Sequence, residues 1–212
     1  ILGKLIPGGR LIGIDRDSEA LQITRERLRS PGETDVLLMH GNFGDLKAIF
    51  EKSNIEKADG FLFDLGVSSM QLDKAERGFS FRYDAPLDMR MDKEAELTAE
   101  ELVNRAPEAE LSRIIYEYGE ERFSRRIAKA IVENRKNARI DTTGKLVDVI
   151  MRAVPYKGKH GRVHPATRTF QALRIAVNDE LKALEEALDD AVGLLRASGV
   201  ICVISYHSLE DR

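Results

Sequence analysis

The chain has 212 residues, 33% of them charged, a formal net charge of −3, a single cysteine and no tryptophan. That length suits one or two domains with a substantial core, and the lone Cys202 excludes an internal disulfide and any cysteine-rich metal site. No apolar run approaches the roughly 20 residues needed to span a bilayer, and no signal peptide opens the chain, so a cytoplasmic protein is expected.

The chain begins at Ile1 in a short amphipathic helix (Ile1, Leu2, Leu5) stopped by Pro7-Gly8-Gly9. Arg10 to Asp17 then reads as a buried strand that ends abruptly in charge. A carboxylate at the carboxyl end of such a strand, here Asp15, can accept hydrogen bonds from both ribose hydroxyls of a nucleoside. The competing reading is that Asp15 or Asp17 merely caps the helix predicted over 18–29, with its stripe of Ala20, Leu21, Ile23, Thr24 and Leu28. Val36 to Met39 is a second strand, followed by His40-Gly41-Asn42-Phe43-Gly44-Asp45. Two glycines around Phe43 suit a loop that approaches a flat ligand closely, with Phe43 covering an adenine face or, equally, sealing the sheet edge. Leu46 to Lys52 is helical, and Gly60 to Asp64 is a third strand with a polar exit through Ser68 and Ser69. Three strand–loop–helix units at about 25-residue spacing predict a doubly wound parallel sheet whose polar exits share one edge.

From Gln71 to Met91 aromatics, arginines and acids follow no period, and a lid or substrate-contact loop carrying Phe79, Phe81 and Tyr83 is expected. Residues 98–153 read as consecutive helices, an all-helical domain placed at 93–160 between two parts of an α/β core at 1–92 and 161–212. Within it, Arg125, Arg126, Lys129, Arg135, Lys136 and Arg139 surround an Ile127-Ala130-Ile131 stripe and read as a solvated face. Residues 151–174 hold Arg152, Lys157, Lys159, Arg162, Arg168 and Arg174 with His160 and His164 and no acid at all, which predicts contacts to a nucleic-acid backbone. His160 and His164 lack further metal ligands nearby, and a metal site is not expected. Leu181, Leu184, Leu188, Val192 and Leu195 mark a long amphipathic helix stopped by Gly199, and Val200 to Ile204 a fourth strand, with Cys202 as a small core residue. Its exit, Ser205 to Arg212, is polar again.

Several strings coincide with one family. Arg10 to Asp17, Asp64 to Asp73, Arg77-Gly-Phe-Ser-Phe81, Pro86 to Met91, His164 to Arg174 and Ser205 to Arg212 resemble, in order and along nearly the whole chain, the MraW family of small-subunit ribosomal RNA methyltransferases. The resemblance implies a Rossmann-like class I methyltransferase sheet with an inserted helical domain that recognises the substrate. It implies S-adenosylmethionine as cofactor, held by Asp15, Phe43, Asp64 and Gln71, and methylation of a cytosine exocyclic amine in the decoding region of small-subunit rRNA. The substrate is then that rRNA or the assembled small subunit, with Asp64 and His207 as candidate catalytic groups and Lys157, Lys159, Arg162, His164, Arg168 and Arg174 on the RNA. It also implies a Gly-Gly-His-Ser loop upstream of Ile1, fed by a central strand between those ending at Asp15 and Asp64. With no Met at its start and no strands after Arg212, the chain therefore reads as an excerpt of a longer protein lacking the central and C-terminal strands. A nicotinamide-dependent oxidoreductase would want a Gly-x-Gly-x-x-Gly turn and gives the basic stretch no role, whereas a non-catalytic RNA-binding module would have no need of Asp15 and Asp64. The sequence leaves the oligomeric state open, a homodimer included.

Overall fold

The computed structural model describes residues 2–5, 8–28, 35–155 and 164–212. The described residues divide into two compact units, one of residues 1–65 with 181–212 and one of residues 66–180.

The first unit contains four strands: β1 (Arg10–Asp15), β2 (Asp35–His40), β3 (Ala58–Asp64) and β4 (Leu195–Ile204). They form two parallel pairs, β1 with β2 and β3 with β4. Helices α1 (Ser18–Arg27) and α2 (Leu46–Lys52) connect successive strands, as the alternation of patterns predicts. Among the described residues the two pairs share no ladder and stand as two separate two-stranded sheets rather than the single wound sheet that the alternation predicts. Both pairs nevertheless feed one core. Phe50, Phe63, Leu65, Leu184, Ala187 and Ala191 are buried together, with Ile14, Phe43, Phe61 and Ile201 packed against them. An aromatic row runs through it: Phe50 to Phe61 at 5.7 Å, Phe61 to Phe63 at 6.2 Å and Phe63 to Phe43 at 6.0 Å between ring centroids.

The helix predicted from its leucine stripe lies in a different rotation. In α9 (Glu180–Leu194; α3 to α8 follow below) the buried face is Ala183, Leu184, Ala187 and Ala191, while Val192 is 69% exposed. The alanines let the helix approach the loop after β2, where a Cβ on Gly44 would stand 3.1 Å from the Ala183 Cα. Gly44 is thus required by packing within the chain. Asp190 of the same helix accepts the Lys47 N–H at 3.1 Å, supplying the first turn of α2 with an acceptor that Asp45 does not give. Gly199 does not stop the helix. The helix ends at Leu194, and Gly199 lies inside β4, in an irregularity where residues 196–199 oppose Asp59 alone. Cys202, expected in the core, is exposed, as are Leu62, Val200, Val203 and Ile204, because among the described residues nothing covers that part of the β3–β4 pair.

The second unit comprises α3 (Ser69–Asp73), α4 (Ala99–Arg105), α5 (Glu108–Glu117), α6 (Ser124–Arg135), α7 (Thr143–Ala153) and α8 (Ala166–Asn178). Leu102, Val103, Leu111, Ile115, Ile127, Ile131, Leu146, Ile150 and Leu173 fill its core. The segment read as a lid is part of that core: Phe79, Leu87, Met89 and Met91 are buried in it, Phe81 packs edge-on against Phe170 at 4.8 Å, and Tyr83 alone of the three aromatics is exposed. The segment lacks period because its backbone is held by side chains instead of a ladder. The buried Arg77 donates to the carbonyls of Arg90 and Met91, both at 2.9 Å. Asn178 accepts the Met91 N–H at 2.7 Å and donates to Met89 O at 2.8 Å, clamping Met89 at a left-handed φ of 64°. Gly78 takes φ 69° where a Cβ would meet Pro86 O at 2.4 Å. Asn178→Ala leaves buried backbone groups without partners and is expected to destabilise the protein by about 2–4 kcal/mol. Chemical denaturation monitored by circular dichroism reads that loss.

Candidate functional site

Three strand exits meet in the first unit. Ile14, which precedes Asp15, Phe63 and Leu65, which flank Asp64, and Phe43, which follows β2, all belong to one hydrophobic cluster. Within each parallel pair the register brings the ends together: Asp15 is opposite His40, and Asp64 is opposite Ile204. In open α/β sheets this carboxyl edge is where ligands bind.

The cap alternative for Asp15 is settled by its neighbour. Asp17, buried, caps α1 by accepting the Glu19 N–H at 3.1 Å. Asp15 accepts the Asp17 N–H at 2.8 Å and has no other hydrogen-bond donor among the described residues. Burial raises its carboxyl above the ordinary 3.8, against the opposing effect of that backbone hydrogen bond. A half-buried carboxylate with one hydrogen bond has acceptor capacity to spare, which suits the paired hydroxyls of a ribose. The loop after β2 is tied to this end. Gly41 N donates to Asp15 O at 3.0 Å, His40 Nε2 lies 2.9 Å from Arg16 O, and Arg16 donates to Asn42 Oδ1 at 2.5 Å. The Arg16 guanidinium sits 5.8 Å from the centre of the Phe43 ring, and Asn42 accepts the Gly44 N–H at 3.0 Å. Phe43 is partly exposed, so it both joins the aromatic row and keeps surface outside it.

At the other pair of exits, Leu65 N donates to Ile204 O at 3.1 Å and the Tyr206 hydroxyl donates to Asp64 Oδ1 at 3.0 Å. That hydrogen bond raises the Tyr206 phenol above 10.0. Tyr206 was not singled out from sequence; its place two residues beyond β4, beside a parallel partner ending in Asp64, is the signal that would have found it. His207 Nε2 lies 3.3 Å from Glu210 Oε1, and Glu210 also accepts the Tyr206 N–H at 2.8 Å, so the acid organises the turn that carries both side chains.

Other expected site residues belong to the second unit. Gln71 is buried in a capping box with Ser68, its Oε1 accepting the Ser68 N–H at 3.0 Å, so its cofactor role rests on the resemblance alone. Arg174 forks onto Glu180 at 2.9 and 3.0 Å with both side chains largely buried, the geometry of an internal ion pair rather than of a phosphate contact. His164 packs on Phe81 at 4.9 Å and accepts the Ala166 N–H at 3.2 Å, and Arg168 is exposed. Lys157, Lys159 and Arg162 lie outside the described residues.

Parallel strand pairs whose carboxyl ends gather two aspartates, an aromatic ring and a tyrosine define a mixed α/β protein with a polar strand-end site. The sequence pattern of the MraW methylase family matches residues 1–212. Similar proteins include the ribosomal RNA small subunit methyltransferase H of Geobacter sp. (strain M21), 55% identical over 100% of this chain and 68% of the relative. Those of Brevibacillus brevis (53%, covering 67% of the relative) and Clostridioides difficile (50%, covering 68%) match over the whole chain as well. The chain belongs to the MraW methylase family.

The raised carboxyl of Asp15 has a stability consequence. A folded-state value above the unfolded one means that the native state binds the proton more readily, so stability falls as pH rises through the interval just above 3.8 and stays lower beyond it. Asp15→Asn removes that loss. Thermal melts from acid to neutral pH are expected to show the variant gaining on the wild type as pH rises.

Proposed function

We infer that the protein transfers a methyl group from S-adenosylmethionine to the exocyclic N4 amine of a cytosine in the decoding region of small-subunit ribosomal RNA. Family membership supports the reaction, and the half-buried Asp15 with spare acceptor capacity is the observation that supports a nucleoside cofactor at this edge. The cofactor supplies a sulfonium methyl that is already activated. Asp15 would hold its ribose and the partly exposed face of Phe43 its adenine, and Gln71 keeps the contact that the resemblance implies.

The cytosine amine is a weak nucleophile because its lone pair is delocalised into the ring. Alignment is therefore the main task, and positioning two bound reactants lowers a barrier by roughly 7–11 kcal/mol. Asp64, fixed by the Tyr206 hydroxyl, is the acceptor we assign to the amine proton. His207 is held against Glu210 and serves that role less directly. The target base leaves its stack to reach such a site.

We further propose that the helical unit recognises the RNA, with Lys157, Lys159, Arg162, His164 and Arg168 near the backbone. A strand hydrogen-bonded to the free edges of both β1 and β3 would join the two sheet halves into the single Rossmann-like sheet of a class I methyltransferase.

The test uses the full-length protein, labelled S-adenosylmethionine and small ribosomal subunits from cells lacking the activity. Label is expected on a cytosine amine, and Asp15→Ala is expected to lower cofactor affinity about 10- to 100-fold, the worth of hydrogen bonds to a charged acceptor. Cofactor binding without label on RNA would point to another methyl acceptor. No cofactor binding would favour an RNA-binding module.

A further inference from the structure

Helix α6 carries charges that oppose its own formation. Ser124, Ile127, Ala128 and Ile131 are its buried face. The exposed Arg125, Arg126 and Lys129 lie on the helix face turned away from that core, and exposed Arg122 precedes them in the turn that leads into the helix, so the four make one basic stripe. The helix starts at Ser124 with no acidic residue in its first turn. The buried Glu121 just before it accepts the Phe123 N–H at 2.8 Å, and the exposed charges that follow are all cationic as far as Lys129. Cations near that end face the positive pole of the helix macrodipole, where folding favours acids. Arg122 sits over the Phe123 ring at 4.7 Å, and Lys129 is 3.8 Å from Glu133. The guanidinium groups of Arg125 and Arg126 have no hydrogen bond or ion pair among the described residues.

The row continues beyond the helix. Arg168 donates to Glu120 O at 3.0 Å and Gln171 to Tyr118 O at 3.1 Å, so the first turns of α8 rest against the turn that leads into α6. Exposed Arg168 therefore extends the stripe, and it belongs to the acid-free stretch of residues 151–174.

We propose that Arg122, Arg125, Arg126, Lys129 and Arg168 form a docking surface for the phosphate backbone of RNA. Four of the five are arginines, whose planar fork matches phosphate oxygens. The stripe has no apolar anchor of the kind a protein interface centres on. Charges that destabilise the helix are the local inconsistency expected where a surface serves a partner. That the RNA is small-subunit rRNA rests on the methyl-transfer reading; the polyanion chemistry rests on the stripe alone.

The test compares the full-length protein with an Arg125→Gln/Arg126→Gln variant, measuring binding to naked small-subunit rRNA and to assembled subunits across a salt series, together with thermal stability and methyl transfer. The variant is expected to bind RNA about tenfold or more weakly, with a slope of log K against log salt shallower by about 0.7–0.9 for each phosphate contact removed. It is expected to unfold at the same or a higher temperature, because the opposed charges are gone. An unchanged salt slope, or a lower unfolding temperature, would overturn the proposal, as would weakening on assembled subunits with naked rRNA unaffected, which would assign the stripe to a protein. A wild type that binds RNA through the stripe yet transfers no methyl would leave the proposal standing and remove the methyl-transfer reading. A wild type that methylates while the variant keeps full RNA affinity would do the reverse.

Discussion

Parallel pairing constrains everything else in the first unit. Two parallel strands must end on the same side, so the registers of β1 with β2 and β3 with β4 oblige Asp15 to lie beside His40 and Asp64 beside Ile204. Their polar exits are then brought together by apolar contacts made one residue away. Ile14, Phe43, Phe63 and Leu65 pack into one cluster under α9, and the aromatic row from Phe50 to Phe43 ties the two strand pairs at that level. Hydrophobic burial thus positions both strand-end carboxylates, and at Asp15 it acts against the charge it positions. The cost is visible at Asp15, whose carboxyl is raised by burial and relieved by a single backbone N–H.

The second unit solves a different problem. Residues 78–91 follow neither helical nor strand geometry apart from one bridge at Pro86, yet Phe79, Ala85, Leu87, Met89 and Met91 are buried. Arg77, Asn178 and Thr143 supply the missing partners, the last donating from its hydroxyl to Tyr83 O and accepting the Ala85 N–H. These side chains fix the segment to α7 and α8, which is why Met89 can be held fully buried at a positive φ.

Strand and helix placement in the first unit was legible because alternation and turn residues act locally. The strands at Arg10, Val36 and Gly60 and the helices between them lie where their patterns put them. What was not legible depends on contacts distant in sequence. The buried face of α9 is set by alanines that fit against the loop at Gly44, whereas a reading by leucines turns the helix toward Val192. The placing of Met89 and Met91 in the core depends on Asn178, nearly ninety residues away, and composition reads such a segment as a lid. Asp15 and Asp64 were found as strand-end carboxylates, but Tyr206 becomes visible only through the pairing of β3 with β4. Arg174 counted as a cation in an acid-free run until its partner Glu180, six residues on, was seen to hold it.

Hydrogen–deuterium exchange of the full-length protein with and without S-adenosylmethionine tests directly whether the converging exits of β1, β2 and β3 grip the cofactor. Slowed exchange at the amides of Arg16, Gly41 to Gly44 and Leu65 is predicted, diminished in Asp15→Ala. Cofactor binding that leaves all of these amides unprotected would contradict it.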